Sequence, residues 1–130
     1  MPKAKDIMTE CVVSVNKQAP VYEAAQLLAT DDITGIPVVE DDMTVVGIIT
    51  EKDVLDLFHV LQYAENRTVN SSMTQSAITF DAEDDLEDIC QCLKNCYFRR
   101  VPVTSKGKLV GIISRRDLIL YIIRCRQNNT

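Results

Sequence analysis

The second half of this chain restates the first. Met8-Thr9 returns as Met73-Thr74, and Ile36-Pro37-Val38 returns as Val101-Pro102-Val103, each 65 residues further on. Val46-Gly47-Ile48-Ile49-Thr50 returns as Val110-Gly111-Ile112-Ile113-Ser114, and Asp53 as Asp117, each 64 residues further on. One residue is therefore lost between the proline and glycine landmarks, where a hairpin turn is expected. Ordered recurrence of this kind means two copies of one supersecondary unit, and any fold proposed for the chain must be built twice.

Each copy reads as β-α-β-β-α. A short strand, Val12 to Val15 or Ala77 to Phe80, leads into a helix, Val21 to Ala29 or Leu86 to Cys96. Val21, Ala24, Ala25 and Leu28, like Leu86, Ile89, Cys90 and Leu93, follow the helical period. Pro20 suits a first turn. Asp81, Asp84 and Asp85 favour capping and the helix dipole in the second copy. Two strands follow, Ile36 to Glu40 with Val45 to Thr50, and Val101 to Thr104 with Leu109 to Ser114. Their turns, Asp41-Asp42-Met43 and Ser105-Lys106-Gly107, have hairpin chemistry. Closing helices are expected over Glu51 to Tyr63 and Arg115 to Arg126, with Asn66 to Ser72 as a polar link. The fold class is α+β, with repeats at 1–65 and 66–130.

The closing helices carry too little polar surface for solvated helices. Val54, Leu55, Leu57, Phe58, Val60 and Leu61 cover much of the first, and Leu118 to Ile123 is apolar throughout. Burial between the copies, together with contact to a second subunit, is the expectation, making the chain a homodimer.

With 130 residues, 46% hydrophobic and 25% charged, the chain is long enough for a real core. No apolar run is long enough to span a bilayer, and the charged start lacks a secretory pattern, so the cytoplasm is the expected location. The five cysteines, Cys11, Cys90, Cys92, Cys96 and Cys125, form no disulfide framework and match no structural zinc spacing. The net charge of −5 argues against nucleic acid. Charge is nevertheless uneven: residues 1–70 hold five Lys/Arg against twelve Asp/Glu, while residues 71–130 hold nine against seven. From Lys94 onward Asp117 is the single acid. A basic C-terminal third can favour a small anion.

The hydrophobic-Pro-Val strand and the Gly-Ile-Ile-[Thr/Ser]-x-x-Asp signature, found twice in frame from about Asp6 to Ile123, resemble a tandem pair of cystathionine-β-synthase (CBS) domains. The resemblance implies two units packed sheet against sheet with pseudo-twofold symmetry, leaving two related clefts. It also implies a regulatory module that binds AMP, ADP or ATP, with S-adenosylmethionine and NAD as further candidates, and that controls another protein. Energy sensing is the expected use. No cofactor is required, and membrane and nucleic acid are not expected partners.

The carried-over residues have plausible jobs. Gly47 allows close backbone approach. Thr50 and Ser114 can cap a helix or bond a ribose or phosphate oxygen, and Asp53 and Asp117 can accept from vicinal ribose hydroxyls. Both pairs can equally serve only as helix caps. Before the proline stand Thr34 in copy one and Arg99-Arg100 in copy two. An extended segment points the two arginines to opposite sides, and Arg100 is favoured for phosphate. Ser14 and Thr79 supply hydroxyls at the first strands. Ile36, Pro37, Ile78, Val101 and Pro102 can sandwich an adenine or belong to ordinary core.

Enzymatic function finds no support. His59 lies on an apolar helix without a nucleophile signature, and no dinucleotide or phosphate-loop glycine motif occurs. The alternatives to a nucleotide-binding module are a ligand-free dimeric adaptor, which thermal melting with a nucleotide panel distinguishes, and a thiol sensor, which requires oxidation to change the oligomer or the melt.

Overall fold

The structure, a computed structural model, describes residues 2–10, 12–30, 33–75, 77–96 and 98–128, leaving aside the side chains of 63–65. Cys11 of the cysteine set lies outside the described residues. The chain forms two compact units: residues 13–77, and residues 1–12 together with 78–130. The repeats thus exchange their leading segments, for a reason visible in each sheet.

In the unit of residues 13–77, β1 (Val15–Asn16) runs parallel to β2 (Gly35–Val39), which pairs antiparallel with β3 (Val45–Thr50). The fourth strand, β4 (Thr74–Gln75), comes from the start of the second repeat and pairs Thr74 with Ile48 and Gln75 with Gly47. A Cβ on Gly47 would stand 2.5 Å from the Thr74 carbonyl oxygen, so only glycine lets this strand approach. In the other unit, β5 (Phe80–Asp81), β6 (Arg100–Ser105) and β7 (Lys108–Ser114) repeat the arrangement. Thr9 here bridges Ile112, and a Cβ on Gly111 would meet the Met8 side chain. Each Met-Thr landmark crosses the glycine of the opposite repeat.

The leading segment is also tied down electrostatically. Helix α1 (Ala4–Ile7) is flanked by Lys3 and contains Lys5, whose ammonium groups reach Glu83 at 2.9 and 2.7 Å. These bonds hold the Glu83 carboxyl down to about 2 and raise Lys3 above its ordinary value. A depressed carboxyl contributes stability that is complete above its unfolded pKa of about 4.5 and lost as pH falls through about 2. The pairs are exposed, so the contribution is small. Glu83→Gln should lower the melting midpoint slightly at pH 7 and in low salt, with the difference from wild type vanishing between pH 4.5 and 2. A constant difference across that range would contradict the pairing.

Helices α2 (Val21–Thr30) and α5 (Leu86–Asn95) bury Val21, Ala24 and Leu28, and Leu86, Ile89 and Leu93. The acids before α5 act differently from the capping expectation. Asp85 makes no side-chain cap bond, while Asp84 accepts from the Asp81 amide at 2.8 Å and Asp81 from the Glu83 amide, closing a turn. The first strands are shorter and later than expected. Parallel pairing begins only at Val38 and Val103, just past Pro37 and Pro102, which have no N–H to offer the ladder. The link is not mere loop, since it forms α4 (Val69–Ser72) and then β4.

The first closing helix departs most. Only Glu51–Leu55 (α3) is α-helical; Asp56–Asn66 tightens into 3-10 turns with a break at Val60. Val54, Leu57 and Val60, on either side of this change, all pack on the core. By contrast α6 (Arg115–Asn128) remains α-helical, with Leu118 buried and Tyr121 packed beside it. Outside these core contacts, Leu55, Phe58 and Leu61, and Ile119, Leu120, Ile122 and Ile123, are exposed. Among the described residues no helix is long and apolar enough to cross a membrane.

Candidate functional site

In each unit three expected segments converge on one end of the sheet. The register pairs Gly35 with Thr50 and Arg100 with Ser114, so the pre-proline segment lies beside the closing signature. The chain then enters the closing helix, and the Glu51 and Arg115 amides donate to the Thr34 and Arg99 carbonyls at 3.1 and 2.9 Å. Since β1 and β5 run parallel to β2 and β6, Ser14 and Thr79 lie at this same end. Ser14 and Thr34 are half-buried; Ile78, Thr79 and Arg99 are exposed.

The signature residues form reciprocal caps. Thr50 donates its amide and hydroxyl to Asp53 Oδ2 at 2.9 and 3.0 Å, and the Asp53 amide donates back to Thr50 Oγ1. Ser114 and Asp117 repeat this at 2.8 and 3.0 Å, with the return bond at 3.1 Å. The capping role considered for these residues is therefore real, and it fixes where each carboxylate points.

The two copies then diverge. The Thr74 hydroxyl donates toward both oxygens of Asp53, at 3.3 and 3.4 Å. Thr9, its counterpart, makes no such bond to Asp117, whose Oδ1 has no hydrogen-bond partner among the described residues. Directly opposite residues of an antiparallel pair share a face, so Arg100 lies on the side of Ser114 and Arg99 on the other. The Nε of Arg100 is buried without a partner. A half-free carboxylate, an arginine whose Nε lacks a partner and the N-terminus of a 14-residue helix thus lie at one sheet end. Such a set accepts from hydroxyls and donates to an anion.

Ile36 and Val101 are wholly buried and Pro37 and Pro102 nearly so, as the ordinary-core alternative for these four positions requires. Their apolar, proline-containing pattern is what a strand covered on both faces requires. Of the apolar candidates, Ile78 is open, at 49% exposure. The sequence reading missed Thr74 and Arg115. The repeated Met-Thr pair signalled the first, but its partner lies across the repeat. Arg115 donates to the carbonyls of Leu93 and Cys96 at 3.0 and 2.6 Å, closing the end of α5.

A shallow hollow of about 300 Å³ lies elsewhere, lined by Asn16, Lys17, Gln18, Glu40, Asp41 and Asp42. It sits at the hairpin turn, opposite the end that holds Thr50, and contains none of the expected residues. Among the described residues no group of three or more His, Cys, Asp or Glu could hold a metal ion.

Known proteins share this architecture. The CBS-domain model matches residues 4–60 and 67–124. YlbB of Bacillus subtilis is 30% identical over 121 residues, covering 92% of this chain and 82% of that one. MJ1225 of Methanocaldococcus jannaschii is 32% identical over 115 residues, but this chain spans only 41% of its length. The crystal structure of the CBS-pair protein CBSX2 from Arabidopsis thaliana, 30% identical, superposes over 96% of both chains with a TM-score of 0.86. CBSX2 has also been crystallised in complex with AMP, in a structure that matches with a TM-score of 0.85 over 97% of this chain and 99% of that one. Two matched copies, one after the other, occupy most of the sequence, and the chain belongs to the CBS-domain family as a tandem pair.

Proposed function

We propose that this chain is a regulatory module that binds an adenosine nucleotide at the Ser114–Asp117 end of the second repeat and conveys that binding to a partner protein. The observations that carry the reading are the Asp117 Oδ1 left without a partner and the buried, unpartnered Nε of Arg100, which lies at the same sheet end. The carboxylate takes the ribose hydroxyls, Ser114 and Arg100 take the phosphate side, and Thr79 with Ile78 borders the base. Exposed Arg99 and Arg116 add positive potential to this end. The complex of CBSX2 with AMP supports the ligand class. In the first repeat, Asp53 already receives Thr74 and its neighbours include Glu51, so this end prefers a less charged ligand. The protein binds and signals rather than catalyses.

AMP at about 100 times its dissociation constant should stabilise the fold by about 2.7 kcal/mol. Melting with AMP, ADP, ATP, NAD and S-adenosylmethionine reads this directly. Nucleotide-free protein whose midpoint moves with none of them would leave the ligand-free adaptor as the better account.

The exposed Ile119, Leu120, Ile122 and Ile123 support homodimerisation through α6. Sedimentation should show a dimer at micromolar concentration and a monomer for Ile122→Glu; a wild-type monomer would contradict it. Free Cys90, Cys92, Cys96 and Cys125 support a reducing cytoplasmic setting.

A further inference from the structure

Two cysteines outside the nucleotide motif stand in contact. Cys92 Sγ and Cys96 Sγ are 3.5 Å apart, both side chains half-buried. Cys92 lies on α5, and Cys96 terminates it in extended backbone, with φ −107° and ψ 161°. Four residues of helix rise about 6 Å, within the usual Cα separation of a disulfide. Because Cys96 has left the helix, its sulfur can close the remaining gap without unwinding the turn that holds Cys92. A zinc site is the poorer fit: such sites take four ligands, and no third ligating side chain joins this pair among the described residues.

The pair is wired to the start of α6. Arg115 donates Nε–H to the Leu93 carbonyl and Nη2–H to the Cys96 carbonyl, while its own amide donates to the Arg99 carbonyl. A shift of Cys96 toward Cys92 pulls on Arg115, which lies between Ser114 and Asp117 in sequence.

We infer that Cys92 and Cys96 are a redox modification site, closing to a reversible intramolecular disulfide that loosens the Arg115 anchor between α5, the pre-proline segment and α6. The oxidant is a small-molecule disulfide such as glutathione disulfide. The Cys96 thiolate attacks it, forming a mixed disulfide and releasing one thiolate, which takes up the proton lost from Cys96. The Cys92 thiolate then displaces the second, which takes up the proton lost from Cys92. Two electrons pass from the protein thiols to the oxidant, whose S–S bond breaks as the protein's forms. Burial and the Cys96 contact push the Cys92 thiol up to about 11, which makes Cys92 a poor attacking thiol and closure slow. In a reducing compartment such a bond is transient, as sensing disulfides are.

The test needs no nucleotide, so its outcome is independent of the proposed ligand. Reduced protein is equilibrated across a range of glutathione redox buffers, remaining thiols are blocked with N-ethylmaleimide, and tryptic peptides are fragmented by tandem mass spectrometry to place each blocked and linked cysteine. Cleavage after Lys94 separates the two cysteines, so a disulfide between them appears as two linked peptides. The inference expects Cys92 linked to Cys96, Cys90 and Cys125 blocked, and no link in Cys92→Ser or Cys96→Ser. Amide exchange at Arg115 should become severalfold faster in the oxidised form. Separate glutathione adducts, links through Cys90, or fully blocked thiols throughout would overturn the site. Unchanged exchange at Arg115 in the linked form would overturn the coupling.

Discussion

Asp117→Asn is expected to weaken AMP binding by about 10- to 100-fold while leaving the ligand-free melting midpoint nearly unchanged. The amide keeps an oxygen that can accept from the Ser114 amide and hydroxyl, now at 2.8 and 3.0 Å from Asp117 Oδ2. What it loses is the charge and the second acceptor, Oδ1, which is the part of the carboxylate available to a ribose. Hydrogen bonds to charged groups contribute about 1.5–3 kcal/mol, and 1.4 kcal/mol is about tenfold in affinity. Asp53→Asn serves as the control, with a smaller effect, because Thr74 already engages that carboxylate. Titration calorimetry on the two variants gives the comparison. Equal losses would contradict the division of labour between repeats, and wild-type affinity in Asp117→Asn would remove Asp117 from the site.

Gly47→Ala should destabilise the chain by about 1–3 kcal/mol, the cost of overpacking a closed contact. The added methyl lands 2.5 Å from a backbone oxygen, that of Thr74, and 3.0 Å from Met73 Sδ, so a whole strand must move. Gly111→Ala meets the Met8 side chain instead, at 2.5 Å from its sulfur, and a methionine can change rotamer. Gly111→Ala should therefore be milder, and Met8→Ala in that background should recover part of the loss. Urea unfolding of the variants measures both effects. A silent Gly47→Ala would show that β4 does not lie against β3.

These two glycines mark how far the sequence alone reaches. The duplication, the β-α-β-β-α order and the Thr50/Asp53 and Ser114/Asp117 pairs were all legible, because each leaves a local spacing. The exchange of leading segments was not. Met8-Thr9 and Met73-Thr74 fit either glycine equally well, and no local property of identical landmarks tells which partner is used. The tightening after Leu55 was hidden for a related reason: Val54, Leu57 and Val60 suit a helical stripe, and all three do pack on the core. The burial of Ile36-Pro37 and Val101-Pro102 was not legible, because apolar residues around a proline carry no mark of whether their surface remains open. The free Oδ1 of Asp117 was beyond reach too, since it depends on what Thr9 fails to do across the repeat.

A crystal structure of the chain grown with AMP tests the central claim most directly. The ribose hydroxyls should lie within hydrogen-bond distance of Asp117 Oδ1, with the phosphate toward Ser114 and Arg100. A nucleotide bound away from both Asp117 and Arg100, or a fully occupied lattice with none bound at saturating AMP, would contradict the account.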